Sequence, residues 1–485
     1  MRLDAVIGPD ARLTGAQAAV EIAGLTADSR AVKPGYLFAA LKGVKSDGSA
    51  FVASALSQGA VAILTDEATS ITVDPRIPVL RNPIPRAALA RAAARFYHAQ
   101  PGTVVAVTGT NGKTSVAAFI RQLWAHAGLS AASVGTVGIV SPKGERKLHH
   151  TTPDPVELQA VMAELAAEAV THAAIEASSH GLAQYRLDGL AIAAGAFTNI
   201  SRDHLDYHKD FEEYFQAKAR LFAEVLPPSA PAVINADCAE AHRVIAIAKA
   251  RGLKLITVGH EGSTVRLVGQ ERLAHGQRLQ LAIGPEQFDV DLPLVGDFQA
   301  SNALVALGLA MACGMDPAKG VQALSLLRGA SGRLELVATW NEAPIFVDFA
   351  HTPDALENAI TALRPYAKGR LIVVFGAGGD RDPGKRPQMG TAVARFADVA
   401  VVTDDNPRSE DPAAIRAQVL AGCPDGIDGG DRPSAIRAAI AMLAPGDILM
   451  VAGKGHETGQ EIGGRIIPFS DQSEIRAAVR EAADD

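Results

Sequence analysis

A short loop at residues 108–114 contains the residue types that bind nucleotide phosphates. It reads Thr-Gly-Thr-Asn-Gly-Lys-Thr and lies between a valine-rich apolar run and a segment with helical periodicity. Backbone N–H groups in such a loop and in the first turn of the helix favour an anion. Lys113 would reach the outer phosphates, and the Thr114 hydroxyl would complete the shell of a magnesium ion. The general phosphate-loop pattern has glycine where this chain has Val107, so the loop is a shorter form. The alternative is a strand-to-helix turn without a ligand.

Two further polar groups follow in this part of the chain. Glu176 comes directly after a buried-type strand, so its carboxylate is expected at the sheet edge, where it could hold magnesium opposite the phosphate loop. Ser178 beside it lacks the glycine elbow of a serine hydrolase. Thr151 and Thr152 precede a helix that starts with proline. There, hydroxyl and free N–H groups suit a carboxylate or phosphate, or they cap the helix.

The segment 197–208 places two histidines and two aspartates directly after a strand. This density predicts a divalent-metal and phosphate environment that includes His204. The ligand types favour magnesium or manganese, since this segment contains no cysteine ligand for a structural zinc. Lys218 interrupts the apolar side of a predicted helix at 211–222, and its spacing alone does not distinguish it from a surface lysine.

Four loops in the C-terminal third together contain arginines, carboxylates and glycines. They are residues 348–354, 376–386, 403–412 and 453–457. Guanidinium groups grip carboxylates and acidic side chains hold ammonium, so this composition suits an amino acid that carries both charges. Each loop alone could be ordinary solvated charge. Because all four follow predicted strands, and functional loops of parallel sheets lie at the carboxyl ends of strands, together they predict a site.

The elements that must position these residues fall into three groups. Residues 1–100 indicate a small α/β unit, with apolar segments at 36–41 and 61–64. From 101 to 335 strands alternate with helices, as in a mainly parallel sheet, with a β-rich insertion at 265–290. From 336 to 485 the alternation restarts. The sequence therefore predicts an α/β protein of three domains with boundaries near residues 100 and 335.

Composition excludes some classes of protein. A net charge of −7 over 485 residues argues against a nucleic-acid partner. The three cysteines show no paired spacing, as expected for a reducing cytoplasm. The chain starts without a signal-like segment and contains no apolar run of about 18 residues. We therefore expect a soluble cytoplasmic protein, not inserted in a membrane, with a monomer as the default.

Five motifs in one order give the chain a resemblance to a known family. They are residues 108–114, 176–180, 198–208, 332–335 and 348–354. In this combination the chain resembles the Mur ligase family of peptidoglycan synthesis over essentially its full length. Within the family it looks like the members that add meso-diaminopimelate to UDP-MurNAc-L-Ala-D-Glu.

The resemblance implies a fold and a reaction. Residues 1–100 would bind UDP-MurNAc, residues 101–335 would bind ATP on a P-loop ATPase-type, mainly parallel sheet, and residues 336–485 would form a Rossmann-like domain for the amino acid. An ATP-dependent ligase of this kind phosphorylates the substrate carboxylate to an acyl phosphate, which the amine of the amino acid attacks.

The resemblance also implies roles for individual residues. Catalysis would involve Lys113, Glu176, His204 and Lys218. Magnesium would be held by Thr114, Glu176, His204 and Lys218, the last as a lysine carbamate. ATP would contact Gly109, Thr110, Asn111, Gly112, Lys113, Thr114, Ser115, Asn302, Arg333, Asp348 and His351. The UDP-MurNAc-dipeptide would contact Ala27, Ser29, Val44, Lys45, Ser46, Thr151, Thr152, Ser178, Gln184 and Arg186. Diaminopimelate would contact Arg381, Asp405, Asn406, Pro407, Arg408, Gly453 and Glu457. Its distal carboxylate would pair with Arg408, which is the expected specificity residue.

Two departures from the family pattern are visible. Phe349 stands where tyrosine is usual, which removes a hydroxyl and keeps an aromatic ring. The loop at 44–48 lacks a histidine frequent in the first domain, which affects the expected uridine contacts but not the substrate class.

Three alternatives remain open from sequence. The first is the same reaction with L-lysine. The second is a ligase like folylpolyglutamate synthetase, which would need neither the first domain nor the Asp-Asn-Pro-Arg loop at 405–408. The third is a nucleotide-dependent scaffold with a decayed site. The intact set of Lys113, Glu176, His204 and Lys218 counts against the scaffold.

Overall fold

Parallel strands joined by helices make up both compact units of this chain. The computed structural model describes residues 1–43, 47–148, 150–201 and 207–484. Val44, Lys45, Ser46 and His204, which the resemblance assigns to binding sites, lie outside the described residues. One unit contains Met1–Arg266 with Leu304–Gly320, and the other contains Leu267–Ala303 with Val321–Asp485. Within the described part of the chain, no helix has both the length and the apolar character needed to cross a bilayer.

The N-terminal segment of the first unit is a four-stranded parallel sheet in chain order. Its strands are β1 (Gly24–Thr26), β2 (Tyr36–Ala39), β3 (Ala60–Thr65) and β4 (Val79–Arg81). Its helices are α1 (Leu3–Ile7), α2 (Gly15–Ala18), α3 (Val52–Ser57) and α4 (Pro85–Tyr97), with 3-10 turns at Gly8–Asp10, Ser29–Ala31 and Gly48–Phe51. Helices α1 and α4 contribute to the core on one face, and α3 contributes to the core on the other.

The central sheet of the first unit has the phosphate-loop strand in its middle. Its strands are β5 (Thr103–Thr108), β6 (Ala131–Gly135), β7 (Gly138–Ser141), β8 (Gly144–Arg146), β9 (His172–Glu176), β10 (Ile192–Phe197), β11 (Pro231–Asn235) and β12 (Lys254–Gly259). They run in the order β12-β11-β10-β5-β9-β6-β7-β8, parallel from β12 to β6. Register places Val107 beside Glu176 and Thr108 beside Phe197. The carboxyl end of β5 therefore lies between those of β9 and β10, which confirms the expected position of Glu176 at the sheet edge.

The helices between residues 113 and 324 and a β-rich extension follow, and the extension belongs to the second unit from Leu267 onward. The helices are α5 (Lys113–His126), α6 (Pro155–Ala167), α7 (Ser179–Ala183), α8 (Phe211–Arg220), α9 (Ala241–Ala250), α10 (Asp297–Ala312) and α11 (Pro317–Leu324). The extension comprises β13 (Val265–Leu273), β14 (Gly276–Ile283) and β15 (Glu286–Leu292), which confirms the insertion predicted from the sequence. Helix α8 ends two residues earlier than predicted and continues as a π turn at Leu221–Val225.

The second unit contains a six-stranded sheet whose two faces are both covered. Its strands are β16 (Glu335–Trp340), β17 (Ala343–Asp348), β18 (Leu371–Phe375), β19 (Val399–Thr403), β20 (Ile427–Gly430) and β21 (Ile448–Ala452), and a separate hairpin pairs β22 (Gly459–Ile462) with β23 (Arg465–Pro468). Its helices are α12 (Pro353–Leu363), α13 (Lys385–Phe396), α14 (Pro412–Leu420), α15 (Arg432–Ala441) and α16 (Asp471–Asp484), with a 3-10 turn at Arg364–Tyr366.

The apolar run of β18 shows why this sheet is buried. Val373 and Phe375 belong to the core on one face, and Ile372 and Val374 belong to the core on the other. Full burial of each such side chain is worth about 1.5–3 kcal/mol. The sheet order is β16-β17-β21-β18-β19-β20, and all strands are parallel except β16, which runs antiparallel to β17. Because β17, β18, β19 and β21 are mutually parallel, the four loops selected from sequence follow the same edge of the sheet.

Candidate active site

The phosphate loop has two glycines at positions that do not accept a side chain. Gly112 has φ of 87° and caps the N-terminus of α5. A Cβ at Gly109 would lie 1.9 Å from the Thr198 hydroxyl oxygen. Thr110 donates its backbone N–H to the Asn199 carbonyl at 2.9 Å, and Asn111 donates its own to the Asn199 side chain at 2.9 Å. Thr198 and Asn199, directly after β10, therefore shape the loop. Sequence reasoning did not assign this role to either of them.

Two lysines converge beneath this loop on one backbone oxygen. Lys113 Nζ donates to the Gly109 carbonyl at 2.9 Å, and Lys218 Nζ donates to the same oxygen at 2.7 Å. Lys218 is only 1% exposed, and its Nζ lies 4.4 Å from the centre of the Tyr214 ring. The Tyr214 hydroxyl in turn bonds the Thr110 hydroxyl at 2.9 Å. The alternative of a surface lysine at position 218 is therefore wrong, because helix α8 turns this side chain inward under the loop.

The Glu176 carboxylate is held by two threonines. Thr114 Oγ1 donates to Glu176 Oε2 at 3.0 Å. Thr136 donates its backbone N–H to Oε1 at 2.8 Å and its hydroxyl to Oε2 at 3.0 Å. The carboxylate fits closely because a Cβ at Gly135 would lie 2.0 Å from Oε1. Sequence reasoning missed Thr136, whose only signal is its position directly after the strand β6.

A chain of hydroxyls extends from this carboxylate toward α6 and α7. Thr151 Oγ1 lies 3.1 Å from the Thr136 hydroxyl, and Thr152 donates to the Glu176 carbonyl at 2.7 Å. Thr152 and the Ser178 hydroxyl are 3.0 Å apart, and Ser178 caps α7. The N-cap of α6 is Asp154, so the alternative that Thr151 and Thr152 cap this helix is wrong.

Arg186 and Gln184 close the same group. Arg186 Nη1 donates to the Thr152 carbonyl, and its Nη2 donates to the Gln184 side-chain oxygen at 2.8 Å. Gln184 donates to the Tyr207 hydroxyl at 3.0 Å. Among the residues predicted here for the dipeptide, Thr152, Ser178, Gln184 and Arg186 are therefore connected by direct hydrogen bonds, and Thr151 joins them through Thr136 and Glu176. Burial lowers the pKa of Arg186, and Asp154 is the first of the charges that oppose this effect.

The described residues predicted to contact uridine, Ala27 and Ser29, lie directly after β1 at the carboxyl end of that strand. The Ser29 carbonyl accepts a bond from Gln58 at 3.0 Å, and Asp28 caps the 3-10 turn that begins at Ser29. Ala27 is exposed and carries no polar side chain, so only its backbone could contact a ligand.

A second group, within the second unit, surrounds Asp348. Its two oxygens accept backbone N–H groups from Leu334 and Ala350, each at 2.8 Å. Burial raises the pKa of Asp348, while the Arg333 charge and the two N–H groups act against that rise. The guanidinium carbon of Arg333 lies 5.1 Å from the centre of the Phe349 ring, a contact that needs the aromatic ring and no hydroxyl.

Asn302 and His351 connect to this group through Gln299 and Phe349, respectively. Gln299 donates to the Arg333 carbonyl and accepts from Asn302, both at 3.2 Å. The His351 ring packs edge-on against Phe349 at 4.6 Å between centroids. Gln299 is 1% exposed and was missed in the sequence, where it is one of several polar residues in the first turns of α10.

The predicted amino-acid residues share one buried lysine that sequence reasoning missed. Lys454 Nζ donates to Asn406 Oδ1 at 3.0 Å and to Glu457 Oε2 at 2.9 Å. Asn406 donates its Nδ2 to the same Glu457 oxygen at 3.0 Å, and its Oδ1 also accepts the Glu461 backbone N–H at 2.9 Å. Lys454 is fully buried. These contacts define the orientation of the Asn406 amide and hold Glu457 beside it.

Asp405 lies behind Gly453 in the same region. A Cβ at Gly453, where φ is 116°, would approach Asp405 Oδ2 to 2.4 Å. Burial raises the pKa of Asp405, and the charges of Arg432 and Lys454 act to lower it. Arg432 is fully buried and bonds both oxygens of Asp471 at 2.7 Å.

The loops after β18 and β19 are tied to each other. Arg386 donates to both oxygens of Glu410 at 2.8 Å, and this lowers the pKa of Glu410 to about 2. A Cβ at Gly379 would lie 1.9 Å from the Pro407 carbonyl oxygen. Arg381 lies exposed on the first of these loops and forms no hydrogen bond or ion pair with the described residues. The structure nevertheless places Arg381 near the other predicted residues of the amino-acid group, since a Cβ at Gly378 would lie 3.0 Å from Arg408 Nη1 and 3.8 Å from Arg381 Cγ.

Replacing Lys454 with methionine should lower the free energy of unfolding by about 2–3 kcal/mol at pH 7, somewhat less than for a fully buried ion pair because Glu457 is partly exposed. Burial acts to raise the pKa of Glu457, but Lys454 and Asn406 outweigh it and hold this pKa below 4.5. Stability from ionised Glu457 is therefore fully present above the pKa of an unfolded glutamate and is lost as pH falls through the lowered value. Urea unfolding should show that the difference in free energy of unfolding between the unmodified protein and Lys454→Met is smaller at pH 3.5 than at pH 7. Lys319→Met, on an exposed position of α11, is the control. An equal difference at both pH values would contradict the role of this ion pair.

The oxygen donors at Thr114 and Glu176 suit a hard cation such as magnesium. Among residues 1–43, 47–148, 150–201 and 207–484, no group of three histidine, cysteine, aspartate or glutamate side chains is arranged to hold a metal. A cation at this place would therefore need phosphate oxygens or further groups beside Thr114 and Glu176.

Comparisons with known proteins match the chain along most of its length. Family models described as "Mur ligase family, catalytic domain", "Mur ligase middle domain" and "Mur ligase, glutamate ligase domain" match residues 21–97, 107–310 and 332–455. A UDP-N-acetylmuramoyl-L-alanyl-D-glutamate–2,6-diaminopimelate ligase of Brucella melitensis is 55% identical, with 95% of this chain and 94% of the relative covered.

Solved structures agree with this result. The structure of a protein with the same ligase name is 34% identical, with a TM-score of 0.75 and with 100% of this chain and 99% of that chain covered. A folylpolyglutamate synthase of Mycobacterium tuberculosis, complexed with ADP and AMPPCP, shares the fold at 20% identity and a TM-score of 0.60, covering 76% of this chain and 92% of its own.

Proposed function

The chain belongs to the Mur ligase family of ATP-dependent, amide-forming ligases, and from this premise we propose that it joins meso-diaminopimelate to UDP-MurNAc-L-Ala-D-Glu. The relative at 55% identity carries the name of this activity over nearly the full chain. We place the reaction in the cytoplasmic synthesis of peptidoglycan precursors. We also propose one domain each for the UDP-sugar (1–100), ATP (101–335) and the amino acid (336–485).

The chemistry has two steps. A carboxylate oxygen of the D-glutamyl residue attacks the γ-phosphorus of ATP, and the bond to the bridging oxygen breaks to leave ADP and an acyl phosphate. The amine then attacks the acyl carbon and loses a proton, and the carbon–oxygen bond to phosphate breaks to leave the amide. Catalysis of such transfers depends on positioning and on compensation of negative charge.

The observation that carries the proposal is the convergence of Lys113 and Lys218 on the Gly109 carbonyl. Lys113 would turn from this oxygen to the outer phosphates when ATP occupies the loop. Magnesium, when bound, would compensate phosphate charge, and Thr114 and Glu176 are the described residues that would hold it, with His204 as a further ligand proposed by resemblance. The loop residues Gly109 to Ser115, together with Asn302, Arg333, Asp348 and His351, would contact ATP.

The same pair of lysines supports a carbamate at Lys218. Two ammonium groups that share one carbonyl oxygen repel each other, and burial adds to the cost of the second charge. Loss of one proton from the Lys218 ammonium, followed by formation of a nitrogen–carbon bond to carbon dioxide with release of a second proton to solvent, would replace one cation by an anion beside Lys113. Attraction would then replace repulsion, and the added carboxylate could help to place a second magnesium ion.

The two remaining substrates would bind at the other groups described above. The hydroxyl chain of Thr151, Thr152 and Ser178, with Gln184 and Arg186, would hold the dipeptide end of the nucleotide sugar. The loops at Ala27, Ser29 and 44–46 would hold uridine. In the second unit, the group from Asp405 to Arg408, with Arg381, Gly453 and Glu457, offers the arginine and carboxylate pairing that diaminopimelate requires.

Phosphate release in the presence of ATP, magnesium and UDP-MurNAc-L-Ala-D-Glu, measured against a panel of amino acids, tests the proposal. We expect meso-diaminopimelate to support turnover at least about a hundredfold more efficiently than L-lysine, because lysine has no distal carboxylate for Arg408 to bind. Faster turnover with lysine would replace the amino acid but keep the reaction. Release that depends on glutamate and a folate would favour the folylpolyglutamate alternative, and ATP binding without release would favour a scaffold.

A further inference from the structure

Arg408 is paired with Glu461, a residue that the functional assignments above leave unused. Arg408 Nε donates to Glu461 Oε2 at 3.0 Å, and Arg408 Nη1 donates to the Gly379 carbonyl at 2.6 Å. Glu461 lies on β22, 53 residues further along the chain. A carboxylate of the protein itself is therefore already adjacent to the guanidinium that is proposed to bind the substrate.

The backbone around this pair is held in one arrangement. Arg408 has φ of 54°, a left-handed conformation that is unfavourable for a non-glycine residue. Its N–H donates to the Glu461 carbonyl at 2.9 Å, and its carbonyl accepts the Gly463 N–H at 2.7 Å. The Asn406 side chain also accepts the Glu461 N–H. These bonds attach the hairpin of β22 and β23 to the Asp-Asn-Pro-Arg loop, so the distance between the two charged groups does not depend on side chains alone.

Each member of the pair keeps one polar atom available. Arg408 Nη2 and Glu461 Oε1 form no hydrogen bond with residues in the described ranges, although they belong to adjacent groups. The side chains are 22% and 41% exposed. The pair thus presents a donor and an acceptor side by side on partly exposed side chains.

We propose that Glu461 is a specificity-determining residue that binds the distal ammonium of the amino acid while Arg408 binds the distal carboxylate. The inference rests on the proposed function. The distal centre of diaminopimelate carries both charges on one carbon, so a guanidinium and a carboxylate side by side match it in sign and spacing. Arg408 alone offers nothing to the ammonium, and Glu457, another carboxylate of the group, is already bonded to Lys454 and Asn406.

The test compares meso-diaminopimelate with 2-aminopimelate, the same seven-carbon diacid without one amino group. Calorimetric titration with the UDP-dipeptide and a non-hydrolysable ATP analogue present gives the dissociation constant of each. We expect Glu461→Gln to reduce the preference for diaminopimelate by about tenfold, chiefly by weakening diaminopimelate, and Glu461→Asp to restore part of it. Glu342→Gln, an equal charge change on the exposed turn between β16 and β17, should leave the preference unchanged.

Two outcomes would overturn the inference. Equal weakening of both compounds would mean that Glu461 only orients Arg408, and tighter binding of both would mean that it competes with the substrate for Arg408. Turnover of diaminopimelate by the unmodified protein, measured by phosphate release, is the separate check on the proposed function. If that turnover is present while the preference is unchanged in Glu461→Gln, the inference alone has failed.

Discussion

Lys218→Ala is expected to lower the rate of amino-acid-dependent phosphate release by about a thousandfold, the scale seen when a preorganised charged group is removed from a reacting centre. The side chain is buried beneath the phosphate loop, where its nitrogen lies 2.7 Å from the Gly109 carbonyl. The variant loses this contact together with any carboxylate that a carbamate would supply. Added bicarbonate should not restore activity, because no amine remains to react with carbon dioxide.

Two variants separate chemistry from folding in this experiment. Lys218→Met retains most of the buried volume without the amine, so it should be as inactive as the alanine variant while losing less stability in thermal unfolding. Lys249→Ala, on the exposed side of α9, should behave like the unmodified protein in both measurements. Substantial activity in Lys218→Met would show that the reaction does not use this nitrogen.

Arg408→Ala should reduce kcat/KM for meso-diaminopimelate by about a hundredfold to a thousandfold, because the distal carboxylate would enter a site that no longer offers its guanidinium partner. The loss for L-lysine, which has no distal carboxylate, should be much smaller. Arginine and alanine both carry a Cβ, so the left-handed backbone at position 408 is strained to a similar extent in the unmodified protein and in the variant. Steady-state kinetics with both amino acids would measure the change in their ratio.

The matched variants for this prediction are Arg408→Lys and Arg476→Ala. Lysine keeps the charge but lacks the planar fork, so it should recover only part of the lost efficiency. Arg476 lies exposed on α16, and its replacement should leave the ratio unchanged. An equal loss for diaminopimelate and lysine in Arg408→Ala would show that Arg408 supports the loop and does not select the substrate.

Much of the fold was predictable because its signals are local. The apolar runs at 371–375 and 448–452 are buried on both faces and coincide with β18 and β21 at every residue. Glycine, lysine and threonine after β5 indicated a phosphate loop because that geometry involves consecutive residues. The order of strands was not local information: β21 lies between β17 and β18, although it follows them in the chain.

The sequence by itself determined the α/β class, the phosphate loop and the four polar loops at one edge of the second sheet, since each depends on neighbouring residues and on the period of apolar side chains. Only the tertiary structure decided that Lys218 is buried, that Thr136 holds Glu176 and that Lys454 and Glu461 contact the amino-acid group. These contacts join residues 109, 40, 48 and 53 positions apart. The physical reason is that the burial and charge environment of a side chain depend on what folds against it, and periodicity along one helix or strand does not contain that information.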